Sequence, residues 1–174
     1  AEDATISVQG GGGGGIDTEL IGILSQTHTY YKCLLTDGTY YCSTTKPDVS
    51  KIKEVYSVPN VNSTDFMSAT NMTKFYCNDS AVDMKGLYAT FNSCTSLEYI
   101  DLRSWNATIA SRVFISCVNL TTCLLEGWKF SGSALSMFSS CRKLVTTDAD
   151  KWNTEGLTST ERMFYDCTGL TSLD

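Results

Sequence analysis

The sequence predicts an α/β repeat solenoid: a stack of about four coils with a parallel strand ladder, preceded by a non-repeating N-terminal cap that contains a β-hairpin. Three observations lead to this fold class. The pattern Phe-x-x-Cys-x-x-Leu occurs four times in the second half of the chain, at intervals of about 23 to 26 residues. A tryptophan follows each of the first three occurrences at one fixed offset. The first half carries no such repeat and shows an Asp-Gly turn signal between two apolar runs.

The repeat pattern gives each predicted coil the same apolar positions. One coil cannot bury its own Phe, Leu and Trp side chains, whereas a stack of coils buries them against one another. The short strand of each coil is expected to pair in parallel with its neighbours, about 4.8 Å apart. The variable stretches between each Trp and the next Phe are expected to form turns or short helices. The predicted repeat core consists of Phe91, Cys94, Leu97, Trp105, Phe114, Cys117, Leu120, Trp128, Phe138, Cys141, Leu144, Trp152, Phe164 and Cys167.

These blocks resemble the BspA-type leucine-rich repeat family, whose units carry a Met-Phe-x-x-Cys-x-x-Leu-x-x-Leu-Asp-Leu core. The segment MFYDCTGLTSLD matches that core best, and the resemblance covers about residues 87–174. It implies a leucine-rich-repeat-like stack in a surface-exposed, non-enzymatic microbial protein, of a kind often linked to adhesion. The chain departs from the pattern at four positions: Cys123 replaces an apolar strand residue, Thr147 and Ala149 weaken the third coil, and Val113 stands where Met is usual. These departures are expected to loosen the packing without changing the architecture.

The first half is predicted to shield the end of the stack, as the ends of a repeat array require. The run TISVQ alternates as a strand does, and DTELIGILSQ is typical of an amphipathic helix with Asp17 at its N-cap. The segment KPDVSKIKEVYS is predicted to be a short helix capped by Asp48, and NMTKFYCND is interpreted as a decayed coil. The predicted domains are an N-terminal strand and polyglycine arm (1–15), a capping region with the hairpin (16–70) and the repeat solenoid (71–174).

Six of the eight cysteines fall into two groups, and the other two, Cys77 and Cys123, share one column but lie two coils apart, too far to bridge. Those of the Phe-x-x-Cys-x-x-Leu column are predicted to be small buried core residues, as unbridged cysteines often are. Cys33 and Cys42 flank the Asp37-Gly38 turn signal instead. A two-residue turn there places them opposite each other in a non-hydrogen-bonded pair, with Cα atoms about 4.5 Å apart and within disulfide reach. A disulfide is therefore predicted; the alternative is two reduced cysteines on a half-buried hairpin.

The chain is rich in Ser and Thr and contains five Asn-x-Ser/Thr sequons, a modest excess over chance. On a surface protein they are possible glycosylation sites. The alternative is that the sequons occur by chance. This alternative applies to all five if the source is an ordinary bacterium or a phage. The sequons begin at Asn62, Asn71, Asn78, Asn106 and Asn119.

Charge and motifs exclude several functional classes. A net charge of -6 argues against nucleic acid as a partner, and no apolar run has the roughly 20 residues that membrane insertion needs. The lone His28 has neither a nucleophile motif nor a zinc partner set, and Asp148 and Asp150 are interpreted as a solvated turn. The polyglycine tract lacks the Lys-Ser/Thr of a phosphate-binding loop. No catalytic residue, metal site or cofactor is predicted.

The predicted function is that of a non-enzymatic extracellular or cell-surface module, structural or adhesive. Its expected partners are other protein subunits, in a homo-oligomer or a filament, or a host-surface ligand. A phage or virus fibre component that binds a host surface is the alternative, and an enzyme of unknown type is a distant third. The last coil carries Leu170 and Leu173 at an apolar end. Either the sequence is a fragment, or this end is a template on which a neighbouring subunit adds. The polyglycine tract is predicted to lie against such an end of a neighbouring subunit. The alternative is that it packs within its own subunit. The tract consists of Gly10, Gly11, Gly12, Gly13, Gly14 and Gly15.

Overall fold

The strands that the structure describes form one mixed β-sheet. The computed structural model describes residues 4–6, 30–76, 87–103, 105 and 109–173. The strands are β1 (Ala4–Ile6), β2 (Tyr31–Leu35), β3 (Tyr40–Ser43), β4 (Ile52–Ser57), β5 (Lys74–Phe75), β6 (Tyr99–Asp101), β7 (Thr122–Leu124) and β8 (Thr146–Thr147). Their order across the sheet is β1-β3-β2-β4-β5-β6-β7-β8. Pairing is antiparallel from β1 to β4 and parallel from β4 to β8.

The predicted α/β repeat solenoid is wrong. The described residues contain no α-helix, and their only helical turns are the 3-10 helices Val49–Lys51 and Ala149–Lys151. The connections between the parallel strands are runs of turns. Two residues before and two residues after each repeat phenylalanine, the backbone is left-handed, with φ between 52° and 67°. A right-handed helix cannot pass through such residues, so their N–H groups bond to the neighbouring segment instead.

The sequence repeat corresponds to five repeat units, which are named here by their phenylalanines. The Phe66 unit contains the start of the segment NMTKFYCND, which is interpreted as a decayed coil, and its strand Lys74–Phe75 does pair within the parallel part of the sheet. It lacks the repeat pattern, because Ala69 and Met72 stand where the others have Cys and Leu. The five rings are stacked with centroids 5.2–5.7 Å apart and interplanar angles of 2–14°. This stack is the centre of the hydrophobic core. The units are those of Phe66, Phe91, Phe114, Phe138 and Phe164.

The strands of the units add a second core column beside the rings. Val55, Phe75, Ile100 and Cys123 are aligned in register across β4 to β7, and all four side chains are fully buried. Since β4 and β5 pair directly, residues 30–57 and the repeat units share one sheet. The Phe66 unit also begins before residue 71, so the predicted boundary between cap and repeats falls inside that unit.

The predicted Cys33–Cys42 disulfide is wrong, because the hairpin register differs by one residue from the predicted one. Cys33 is opposite Tyr41, and Cys42 is opposite Lys32. The loop has three residues rather than two: the Gly38 N–H bonds to the Leu35 carbonyl at 3.0 Å, and Gly38 adopts φ +86°. A shift of one residue moves a side chain to the other face of the sheet. Cys33 therefore lies in the core, and Cys42 on the opposite face.

The helix predicted from KPDVSKIKEVYS extends for a single 3-10 turn only. The Asp48 carboxylate does cap that turn, because its Oδ1 accepts from the Ser50 N–H at 3.0 Å. The chain then enters β4, which pairs with β2 on one side and β5 on the other. Pairing on both sides explains why β-branched and aromatic residues here form a strand. The helix predicted from DTELIGILSQ lies outside the described residues.

Candidate interaction surface

Four tyrosines form a row on the outer face of the sheet. Successive side chains of a strand point to opposite faces, so the neighbours of the core column lie on this face. From Tyr40 to Tyr56, Tyr76 and Tyr99, the ring centroids are 6.5, 5.9 and 5.4 Å apart. Tyr56 is fully buried, whereas the other three are half-buried. This tyrosine row presents aromatic edges and phenol groups at the surface on either side of a buried centre.

The hydroxyl groups of the row are held as neutral phenols. Tyr56 donates a 2.8 Å hydrogen bond to the carboxylate of Glu54, which is itself buried. Burial raises the pKa of Tyr56 far above its ordinary value, and the hydrogen bond and charge of Glu54 raise it further. Burial also raises the pKa of Tyr76 and of Tyr99. Neutral phenols can both donate and accept hydrogen bonds to a partner.

A bidentate ion pair lies next to the row at the end of β6. Arg103 donates from Nε and Nη2 to the two carboxylate oxygens of Asp101, at 2.9 and 2.7 Å. The carboxylate also accepts from the Arg103 N–H, and the hydrogen bonds and the charge of Asp101 raise the pKa of Arg103. The pair fixes the turn after β6 and places a charged group beside Tyr99.

The cysteine column consists of hydrogen-bonded thiols. Each thiol donates to the carbonyl of the phenylalanine in the preceding unit, at 3.0–3.1 Å. Burial raises the pKa of Cys117 and Cys141, and also that of Cys123 in the strand column. Protonated thiols are poor nucleophiles and poor metal ligands. The thiols of this column are those of Cys94, Cys117, Cys141 and Cys167.

The other predicted core residues occupy the interior, with looser packing at the last unit. Trp152, Phe164, Cys167 and Leu170 are half-buried, while the remaining members are buried. The tryptophan Nε1 atoms bond in different ways. Trp128 donates to the Leu102 carbonyl at 2.8 Å, whereas the buried Nε1 of Trp105 has no acceptor among the described residues.

Asp148 is a buried structural residue that the sequence pattern did not identify. It is 7% exposed, and its carboxylate accepts from the N–H groups of Leu125 and Glu126 at 2.7–3.0 Å. It also accepts from Nε1 of Trp152 at 2.8 Å. Asp150 is exposed, so its interpretation as a solvated residue fits, whereas that of Asp148 is wrong. No described group of three or more His, Cys, Asp or Glu residues has the arrangement of a metal site.

Two of the sequons have a structural explanation. Asn71 and Asn119 stand at the same position of their units, and each donates from Nδ2 to a carbonyl of the preceding segment, at 2.8 and 2.7 Å. The threonine of each sequon also bonds to a preceding carbonyl through Oγ1. Asn62 is exposed and remains a possible glycosylation site. Asn78 and Asn106 lie outside the described residues.

The last repeat unit ends in an open apolar surface. A recess of about 330 Å³ is lined by Phe164, Cys167 and Leu170 together with residues 171–173. Leu173 is 50% exposed there, although its position in the unit is that of the fully buried Phe75 and Ile100. This surface is called the end face below. Gly10 to Gly15, which were predicted to contact such a surface, lie outside the described residues.

The repeat units also identify the family. The model of the family described as Mycoplasma protein of unknown function, DUF285, matches residues 83–173. This chain belongs to the DUF285 family. The DUF285 match covers the units from Phe91 to Phe164 and leaves the Phe66 unit outside. No curated protein and no solved structure matches the chain. Within the described residues, no helix has the length and apolar character needed to cross a bilayer.

Proposed function

We propose that this DUF285 chain is a non-enzymatic extracellular module, adhesive or structural, that binds a partner protein through its tyrosine row. The row is the observation that carries the proposal. Tyrosine combines a large rigid ring with a polar tip, and it is enriched where proteins bind other proteins. A buried centre flanked by half-buried rings also keeps the surface pre-organised, which reduces the ordering cost of binding.

Display outside the cell is supported by the resemblance of the repeats to the BspA-type surface family. The state of the cysteines is compatible with an oxidising medium, because burial keeps the thiols of Cys94, Cys117 and Cys141 away from oxidants. Labelling of intact source cells with an antibody against the chain tests the location. Signal that needs permeabilised cells contradicts it.

A binding assay tests the role of the row. The labelled chain is applied to an array of immobilised extracellular proteins and glycans, and Tyr99→Ser is compared with Tyr88→Ser. Tyr88 is 46% exposed and lies among the turns, so it is the matched control. We expect Tyr99→Ser to weaken binding to the retained protein at least tenfold and Tyr88→Ser to change it less than twofold. Equal effects, or retention of glycans alone, contradict the proposal.

Self-assembly is a second candidate function, and the end face favours it. Among the described residues, Phe164, Cys167 and Leu170 line a recess beside the exposed Leu173, and such an apolar surface can bind another copy of the chain. Sedimentation of the purified chain over a hundredfold range of concentration tests this candidate independently of the tyrosine row.

A further inference from the structure

Tyr76 and Tyr99 are the closest pair of the tyrosine row. Their ring centroids are 5.4 Å apart, and the ring planes are tilted by 40°. Centroid separations of roughly 4.5–7 Å bring two aromatic rings into contact. The other contacts of the row are longer, at 5.9 and 6.5 Å. Tyr76 and Tyr99 therefore place the carbon atoms of two phenol rings next to each other.

The sheet holds these two rings together, because they belong to adjacent strands. Tyr76 directly follows β5, and Tyr99 is the first residue of β6. The two strands pair in parallel, with Phe75 opposite Ile100. The Tyr76 N–H also bonds to the Val55 carbonyl of β4 at 2.8 Å. The backbone next to each ring is thus fixed by strand pairing, so the ring contact is a property of the fold.

Burial distinguishes this pair from the central ring of the row. Tyr76 and Tyr99 are half-buried, so water and an oxidant reach both rings from the outer face. Tyr56 is fully buried and stacks on Tyr76 with nearly parallel planes, at 11°. A movement of Tyr56 toward a neighbour would deprive the buried Glu54 carboxylate of its hydrogen bond, which is costly. The pair that can close to bonding distance is therefore Tyr76 with Tyr99.

We infer that Tyr76 and Tyr99 form a modification site, at which a peroxidase that uses hydrogen peroxide joins the two rings as dityrosine. Each phenol loses one electron to the oxidant and releases its proton to water. The two phenoxyl radicals then form a carbon–carbon bond between ortho positions. The hydrogens at these positions leave as protons, and the two oxygens are protonated again. The chain loses two hydrogen atoms in all, and one hydrogen peroxide is reduced to two water molecules.

The new bond ties the Phe66 unit to the Phe91 unit. The strand pairing between these units is short, because β5 has only 2 residues. A covalent crosslink stabilises a fold mainly by restricting the unfolded chain, as in the chain-entropy model for disulfides. The inference uses the same tyrosine row as the proposed function but needs no partner protein. It is therefore tested on the chain alone, and its failure leaves the proposed binding function open to its own test.

Peptide mapping after oxidation tests the inference. The purified full chain is treated at low concentration with hydrogen peroxide and a haem peroxidase. Cleavage after Lys and Arg places Tyr76 in residues 75–85 and Tyr99 in residues 86–103, so mass spectrometry identifies the linked peptides. We expect an intramolecular product that is lighter by two hydrogen atoms, with dityrosine fluorescence and a bond between Tyr76 and Tyr99. The same treatment in concentrated urea is expected to lower the yield of this bond at least tenfold.

Two matched substitutions locate the reaction. Tyr99→Phe removes one phenol but keeps its ring in the row, and Tyr165→Phe removes a phenol that is 64% exposed and lies outside the row. Both changes are conservative, and the amide spectra of the variants verify the fold. Tyr99→Phe is expected to lower the yield of intramolecular dityrosine at least tenfold, and Tyr165→Phe less than twofold.

Any of three outcomes overturns the inference. Dityrosine does not form, or it forms mainly between chains, as exposure alone would dictate. The intramolecular bond maps to another pair, such as Tyr56 with Tyr76. The bond between Tyr76 and Tyr99 forms equally well in urea, so that proximity in the sequence rather than the fold brings the rings together.

Discussion

Single polar side chains close gaps in the backbone hydrogen bonding between units. At the strand ends, the Leu102 N–H bonds to the Leu124 carbonyl of the next unit, but the Leu125 N–H has a carboxylate of Asp148 in the equivalent place. Asp148 thus replaces a missing strand bond and also anchors Trp152. Sequence predicts which positions are apolar, but it does not show that this carboxylate points inward, since Asp148 and Asp150 look alike in TTDADKW.

Asp148→Ala is expected to lower the free energy of unfolding by about 3 kcal/mol, because three buried or half-buried donors lose their acceptor. Asp150→Ala is the control, and as an exposed substitution it is expected to change stability by less than about 0.5 kcal/mol. Urea denaturation of both variants measures the difference. Equal losses in the two variants would show that Asp148 has no special structural role.

Among the elements, the turn segment of each unit decides the fold class. The pattern Phe-x-x-Cys-x-x-Leu fits an outer helix as well as a turn segment, because both bury every third or fourth residue. The left-handed positions are occupied by Thr, Ser, Ala, Arg and Asp rather than glycine, so composition does not mark them. The hairpin register cannot be predicted for a related reason: Asp37-Gly38 suits a three-residue loop as well as a two-residue one.

The repeat and its core could be predicted from sequence because they depend on the spacing of apolar residues, which is visible. The Phe66 unit could be predicted only in part, as the decayed coil of NMTKFYCND, because Ala69 and Met72 fill the Cys and Leu positions with other buried side chains. The tyrosine row could not be predicted, since its members lie on β3, β4 and β6 and directly after β5, and only the sheet order brings these positions together. The same holds for the end face, because its recess depends on how the last unit folds.

Ser116 tests whether the left-handed turns are strained. Its φ is 63°, a region that costs a non-glycine residue about 1–2 kcal/mol. Ser116→Gly is therefore expected to raise the free energy of unfolding by up to about 1 kcal/mol, after the greater entropy of glycine in the unfolded chain is subtracted. Ser131→Gly, at an exposed position without left-handed backbone, is expected to lower it by about 0.5 kcal/mol. Thermal unfolding compares the two, and a loss of stability in Ser116→Gly contradicts the expectation.

At the scale of the whole molecule, the core couples folding to the protonation of its thiols. Cys117, Cys123 and Cys141 have their pKa raised from the ordinary value of 9.0 by burial, so the folded chain keeps these protons where the unfolded chain releases them. Their contribution to stability is complete below the unfolded pKa and is lost as the pH rises above it. Tyr56 acts in the same direction above its own ordinary value of 10.0.

Stability is therefore expected to be independent of these thiols between about pH 7 and 8 and to fall above pH 9, by about 1.4 kcal/mol per pH unit for each buried thiol. Urea denaturation at closely spaced pH values from 7 to 10 measures this slope. Cys123→Ala is the diagnostic variant, because the cavity it leaves lowers stability at every pH but does not itself change the slope. Because one buried thiol is removed, the free energy of unfolding is expected to fall less steeply above pH 9, by about 1.4 kcal/mol per pH unit. If the slope is unchanged in Cys123→Ala, the Cys123 thiol already ionises in the folded protein. That result would contradict the burial of Cys123 in the strand column.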